Sequence, residues 1–405
     1  MKKSYRSTYF ACYFGYIIQA LVNTLAPLLF VIFQEQYAVS TITIGNLIFL
    51  SFAAQWSMDL LSVKLIRLFG YRTMTVTAYF LAATGLVLLG VLPLVMAHTA
   101  LALGIAITLY AFGSGIIEVT TSPVISALPG KPTDIKLNFL HFFFCLGQVL
   151  TIVVTTVVLL FIEDVSWYWI PIAWAVLPLI NAFVYMQVPF AEMVSEEESS
   201  SMKELFTGVF PWLLVCMIAA GATEMAVSQW ASLFAENALG ISKAAGDLFG
   251  PCLFAVMMGL CRILYGVFGS KINILHGLLG CGILSTVAYL LMALAPVPWM
   301  SLLSCGLCGF GVGLMWPGTV SKAERWFPKG GTLMFSLLAF CGDGGCSLGP
   351  WVTGMVSGIA EKLSFSTQTS LKAGILLATV FPLLLVVSSI VLIQKEKHYE
   401  FREET

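Results

Sequence analysis

The chain has 405 residues, 59% of them hydrophobic and only 10% charged, with 20 Lys and Arg against 21 Asp and Glu and a formal net charge of −1. A water-soluble chain of this length could not cover so much apolar surface with so few charges, and there is no basic excess with which to hold nucleic acid. Neither a G-x-x-x-x-G-K-[ST] loop nor an H-E-x-x-H helix occurs, so nucleotide-driven work and zinc hydrolysis have no motif to rest on.

Twelve apolar stretches follow one another at approximately 8–33, 42–63, 73–96, 99–127, 137–160, 167–188, 209–236, 247–269, 274–295, 299–326, 331–359 and 372–393. Each is long enough to cross a hydrocarbon core of about 30 Å, which takes roughly 20 helical residues. The sequence therefore predicts an all-α membrane protein of twelve spans, numbered here in chain order. Lys2, Lys3 and Arg6 run straight into span one with no small-residue cleavage site, so a retained helix is expected rather than a signal peptide. The polar run Pro189–Phe206, with Glu196-Glu197-Glu198, reads as a solvated linker. It divides the chain into an N-terminal bundle at 1–188, a linker at 189–208 and a C-terminal bundle at 209–405 that ends in a short tail. Of the 20 Lys and Arg, fifteen fall in loops and tails on the side of the N-terminus and three (Lys243, Lys362, Lys372) on the other, with Arg262 and Lys322 inside spans. That bias predicts cytoplasmic termini and a cytoplasmic linker in a plasma membrane.

The two halves echo each other. Phe112-Gly113-Ser114-Gly115-Ile116 in span four precedes Pro129 as Phe310-Gly311-Val312-Gly313-Leu314 in span ten precedes Pro328, and Phe144-Cys145 matches Phe340-Cys341. Parallel six-helix repeats of this kind characterise one large architecture of secondary transporters, with the solute site between the halves at mid-membrane. All ten cysteines lie in predicted spans. Cys305 and Cys308 form a C-x-x-C with no histidine nearby, which reads as apolar packing, and no metal site or cofactor is expected.

An ionisable group inside a span is costly and calls for a reason. Gln19 and Asn23 share one face of span one. Asp59 in span two and Arg262 in span eight occupy corresponding helices and are expected to hold the halves together. Glu118 in span four follows Gly113 and Gly115, which permit close helix approach, and precedes Pro123. Burial disfavours the charge of a lone carboxylate, which suits reversible protonation, and a static ion pair with Arg262 is the alternative. His141 in span five reads as a proton shuttle or as a hydrogen-bonded core residue. Glu224, Gln229 and Trp230 in span seven combine carboxylate, amide and indole as a sugar site does, although Trp230 also suits an interfacial belt. Trp316 in span ten is an apolar wall, whereas Lys322 and Glu324 sit at that span's end as gate or packing residues. Asp343 lies in Gly342-Asp343-Gly344-Gly345, where unwound carbonyls would help bind a cation or glycines would permit tight packing.

With these residues in place, the chain resembles the major facilitator superfamily, and within it the fucose permease group of sugar:proton symporters. The sharpest match is Gly113-x-Gly115-x-x-Glu118, followed by Pro123, and the resemblance places the family's coupling glutamate on Glu118. Leu137-Asn138-Phe139-Leu140-His141, Trp316-Pro317-Gly318, Gly342-Asp343-Gly344 and Gly349-Pro350 resemble the group's later helices. Two departures stand out. The family's span-one acid falls on Asn23, four residues before Pro27, and the D-R-x-G-R-R loop between spans two and three reads Arg67-Leu68-Phe69-Gly70-Tyr71-Arg72, keeping Gly70 and Arg72 as structural or gating residues.

The expectation is thus a monomeric twelve-helix major facilitator fold of two pseudo-symmetric bundles, with spans one, four, seven and ten lining a cavity. It would carry a small polar solute such as a sugar across the bilayer without enzymatic chemistry. Glu118 and Asp343 would serve coupling to H+ or Na+, while Gln19, Asn23, His141, Glu224, Gln229, Trp230 and Trp316 would meet solute. Rival readings are an exporter of amphipathic compounds and a membrane receptor or scaffold without transport.

Overall fold

The computed structural model describes residues 5–130, 133–161, 166–191, 208–268, 272–327 and 331–403. Among them no strand occurs. Span one is Arg6–Tyr37, spans two and three are joined in Thr41–Val95, span four is Thr99–Ala127 and span five Thr133–Phe161. Span six, Trp169–Gln187, bends at Ala175. In the second half, spans seven to ten are Phe210–Ala238, Lys243–Phe268, Ile274–Leu294 and Pro298–Trp326. Span eleven is Gly331–Lys362, and span twelve runs as Thr367–Ala378 and Val380–Glu403. Ten of these helices are long and apolar enough to cross a bilayer by themselves. The other two crossings, the first half of Thr41–Val95 and the glycine-rich span eleven, pack among them. Most of the proposed linker, 192–207, and the side chain of Asp59 lie outside the described residues.

Large apolar side chains such as Ile105, Val157, Phe183, Ile263, Val287 and Val387 point outward. That is the surface a hydrocarbon solvent calls for, with backbone polar groups satisfied inside each helix. Spans two and three are separated by Gly70 alone, at φ 77° and ψ 158°, a backbone conformation open essentially to glycine. Arg72, two residues on, donates to the carbonyls of Tyr185 (3.0 Å), Met186 (2.8 Å) and Val188 (2.8 Å) and stacks its guanidinium 4.7 Å from the Phe190 ring. It therefore caps the last turn of span six, whose carbonyls have no partner within the helix. Gly70 is the turn and Arg72 the clasp of one corner of the first bundle.

Span eleven corrects one expectation. The backbone stays helical through Gly342-Asp343-Gly344-Gly345, so no unwound carbonyl is offered to a cation. Its glycines bring the helix against span seven instead: a side chain at Gly349 would sit 2.7 Å from the Ala222 Cα. Small residues let two helix backbones touch where no hydrophobic drive separates lipid from helix.

The halves meet most closely at the end of the bundle opposite the N-terminus. There Asn237 donates to Gln34 (2.8 Å), Gln34 to Thr41 (3.3 Å) and Thr41 to Glu361 (2.9 Å), a chain that crosses between the halves twice. Trp351 donates to Asn46 (3.2 Å), and Gly45 lies flat against Gly354. Fully buried Asp247 of span eight accepts from Thr156 of span five (2.8 Å) as well as from Ser232 (2.6 Å) and Lys243 (3.2 Å) of its own half. This polar seam had no motif to announce it.

Candidate functional site

Beneath that seam, between the halves, lies a cavity of about 70 Å³ lined by Tyr16, Gln19, Asn23, Phe52, Gln55, Glu118, His141, Phe144, Glu224, Met225, Arg262, Trp316, Asp343 and Cys346. Eight of the residues singled out in the sequence are thereby brought together: Gln19, Asn23, Glu118, His141, Glu224, Arg262, Trp316 and Asp343. Spans two, five, eight and eleven contribute as well as the expected one, four, seven and ten. Tyr16, Phe52, Gln55, Phe144, Met225 and Cys346 escaped the sequence reading. For Tyr16, Phe144 and Cys346 the signal was spacing, because each lies three residues from a residue already singled out (Gln19, His141 and Asp343) and so shares its helix face.

Position follows from packing. A Cβ at Gly115 would lie 2.8 Å from the Gln55 carbonyl oxygen and 2.9 Å from its Cα, so span four presses directly on span two. That contact sets Glu118 and Gln55 into one cavity wall. Gln19 donates its Nε2 to Glu118 Oε2 at 2.6 Å. Ser114 donates to Gln55 Oε1 (2.9 Å) and approaches Asn23 Oδ1 (3.5 Å), tying span four to spans one and two. Tyr16 shares a hydrogen with Ser122 (2.8 Å) and meets the His141 ring edge-on, 5.8 Å between centroids.

Across the cavity, Arg262 faces Glu224 at 3.9 Å and donates to the His141 carbonyl (3.3 Å) and Cys145 Sγ (3.2 Å). Its described carboxylate partner is therefore Glu224 rather than Glu118, the partner that the alternative reading of Glu118 would have given it. Arg262 still joins the halves, through span five. Asp343 and Glu224 are the acidic groups that act on Glu118. Three carboxylates, Glu118, Glu224 and Asp343, thus line the cavity together with the Arg262 guanidinium.

Gln229 and Trp230 lie elsewhere. Gln229 donates to the Asn23 carbonyl (3.0 Å) and borders a smaller void with Asn23 and Pro27, while Trp230, fully buried, gives its indole N–H to the Pro350 carbonyl (2.9 Å). Both bind one helix to another: Gln229 joins the halves above the cavity, and Trp230 pins span seven to span eleven and packs 6.5 Å from Phe30. Trp230 has no polar atom left for a solute. Lys322 pairs with Glu396 of span twelve and covers the Trp326 ring at 4.3 Å, a contact within the second bundle.

The sequence profile of the Major Facilitator Superfamily matches residues 12–350. Among solved structures, a bacterial homolog of the human lysosomal transporter Spinster, in an inward-facing and occupied conformation, superposes with a TM-score of 0.74 at 15% identity, covering 98% of each chain. A nucleoside transporter superposes with a TM-score of 0.73 at 13% identity, covering 95% of this chain and 98% of the other. A variant of the Escherichia coli fucose:proton symporter gives 0.65 at 14% identity, over 96% and 99%. Among curated proteins, none matches the sequence.

Proposed function

The chain belongs to the major facilitator superfamily and is a membrane transporter; we propose that it carries a small hydroxylated solute of the sugar type, coupled to protons through Glu118. The observation that carries this reading is the 2.6 Å bond between Gln19 and Glu118 inside the cavity where the two halves meet. A carboxyl group held by an amide, and not by an arginine, keeps both protonation states accessible. Amides at Gln19, Asn23 and Gln55 supply the paired donors and acceptors that hydroxyl groups require, and Trp316 supplies an aromatic face.

A cavity of about 70 Å³ is smaller than a ligand pocket, which usually measures roughly 300–1,000 Å³. Solute therefore enters when the halves rock apart. With the N-terminus in the cytoplasm, the closed seam of Gln34, Thr41, Asn237, Asp247 and Glu361 is the outer gate, and the chain stands closed to the outside. Carriage then alternates that gate with a cytoplasmic one around Glu118. The amide-held carboxyl of Glu118 supports protons as the coupling ion, loaded on one side and released on the other.

Thermal-shift measurements on the purified protein with hexoses, pentoses, 6-deoxyhexoses, nucleosides and amphipathic cations test the solute class. Stabilisation by a monosaccharide alone supports the reading; stabilisation by the amphipathic cations alone would replace it with that of an exporter.

A further inference from the structure

Two amide atoms in the cavity wall stand out. Gln19 is 3% exposed and Gln55 5% exposed, so both are nearly enclosed by protein. Each uses one end of its amide: Gln19 Nε2 on Glu118 and Gln55 Oε1 on Ser114. The other ends, Gln19 Oε1 and Gln55 Nε2, are buried with no hydrogen-bond partner among the described residues. A buried polar atom left unpaired is costly, and in a residue of the cavity wall it is free to meet water or solute when the cavity opens.

The Gln19 amide is also the direct link between this wall and the Glu118 carboxyl. An ionised carboxylate only accepts hydrogen bonds, so it selects the Nε2 end of Gln19 and leaves Oε1 facing away. A carboxyl protonated on Oε2, the oxygen that Nε2 now faces, donates an O–H there, and the end of the amide that can accept it is Oε1. Turning the amide over about its last side-chain bond meets that demand and leaves the NH2 facing away instead.

We propose that Gln19 is an amide relay: proton uptake by Glu118 turns it over and changes the group it offers to solute from an acceptor into a donor. This rests on the proton-coupled reading of Glu118. With Glu118 ionised the wall offers one acceptor, Gln19 Oε1, and one donor, Gln55 Nε2. With Glu118 protonated it offers a second NH2 donor in place of that acceptor, which suits an acceptor oxygen such as a sugar ring or carbonyl oxygen. Gln19 Oε1 would repel that same oxygen in the ionised state. Solute and proton then favour each other's binding, as cotransport requires. The proton comes from water on the open side, and no bond other than its O–H is made or broken. Asp343 from span eleven, Glu224 from span seven, Arg262 from span eight, His141 from span five and Tyr16 from span one complete the charged and titratable surroundings of Glu118. None of them is in described hydrogen-bond contact with the Gln19 amide.

Infrared difference spectra of the solute-free protein, taken on a jump from alkaline to acid pH, test the relay. A carboxyl band that vanishes in Glu118→Gln identifies the titration of Glu118. The relay requires that a glutamine side-chain band change with it, move when glutamine carries 13C and 15N in its side chain, vanish in Gln19→Leu and persist in Gln55→Leu. Isotope labelling of the wild-type protein needs no substitution, so the result survives a variant that fails to fold. A Glu118 band with no glutamine component overturns the relay and leaves the carrier reading in place. The lack of any Glu118 band overturns both. With the monosaccharide that stabilises the wild type best, affinity should rise about tenfold toward acid pH, and Gln19→Leu should flatten that profile. A pH profile unchanged in folded Gln19→Leu also overturns the relay.

Discussion

Thr156→Val tests whether the seam between the halves is a gate. Asp247 is fully buried, and its Oδ2 accepts from Thr156 at 2.8 Å, whereas Oδ1 is served from its own half by Ser232 and Lys243. Valine keeps the volume of threonine and removes the hydroxyl, so Oδ2 loses that donor without a cavity being made. A hydrogen bond to a charged group contributes about 1.5–3 kcal/mol. In the state with the seam open, water serves Oδ2 and nothing is lost, so the whole penalty falls on the closed state. The closed-to-open ratio should drop roughly ten- to a hundredfold. Spin labels at Glu35 and Ser242, exposed residues on the two sides of the seam, read the distance between the halves. Cys281 and Cys341, the native cysteines that are not fully buried, are replaced first. A longer-distance population should grow in Thr156→Val and return to the wild-type level in Thr156→Ser. Ser232→Ala breaks a bond within one half, present in both states, and should leave the distribution nearly unchanged. A wild-type distribution in folded Thr156→Val would mean that this bond does not hold the gate.

Glu118→Gln should abolish uphill accumulation in reconstituted vesicles while sparing counterflow, because exchange needs no net proton movement; undiminished accumulation would reduce Glu118 to a structural polar residue. Arg72→Ala leaves three carbonyls of span six without their cap and should cost about 1–3 kcal/mol, read as a lower melting temperature, with Arg72→Lys recovering only part because one ammonium cannot copy the planar fork. Gly115→Ala puts a methyl group against the Gln55 backbone and should destabilise by about 1–3 kcal/mol and weaken solute binding, since the span that moves carries the cavity wall. A cysteine introduced at Ser199 should resist an impermeant thiol reagent applied outside intact cells, and ready labelling there would reverse the proposed orientation.

The spans were legible because a bilayer imposes one length and one polarity on every crossing, the paired motifs of the two halves announced the repeat, and the resemblance added only the expected coupling role of Glu118. The cavity was half legible. Ionisable residues stranded in apolar helices are conspicuous, and Glu118, Glu224, Arg262 and Asp343 do line one cavity. Neutral lining residues such as Phe52, Gln55 and Met225 look like any core residue until the helix faces are known. Pairing was the least legible property. Arg262 was open to Asp59 or Glu118 on sequence grounds, and its described carboxylate partner is Glu224, which it meets at the wall of the cavity. Trp230 misled for a related reason: an indole suits sugar stacking and helix packing equally, and only the Pro350 carbonyl at the end of its N–H decides between them.

Asn23 is where sequence and structure correct each other most usefully. It stands where the resembled family carries its span-one acid, so that carboxylate is missing from this chain. In the cavity, however, Asp343 reaches Glu118 electrostatically from the opposite half. A second carboxylate is therefore present, supplied by span eleven and not by span one. An acid in the other half makes its interaction with Glu118 depend on how far apart the halves stand. Charge repulsion between them is strongest when the halves close with both groups ionised, and a proton on either relieves it. Under the proposed coupling role of Glu118, loading a proton and closing the cavity would thus favour each other.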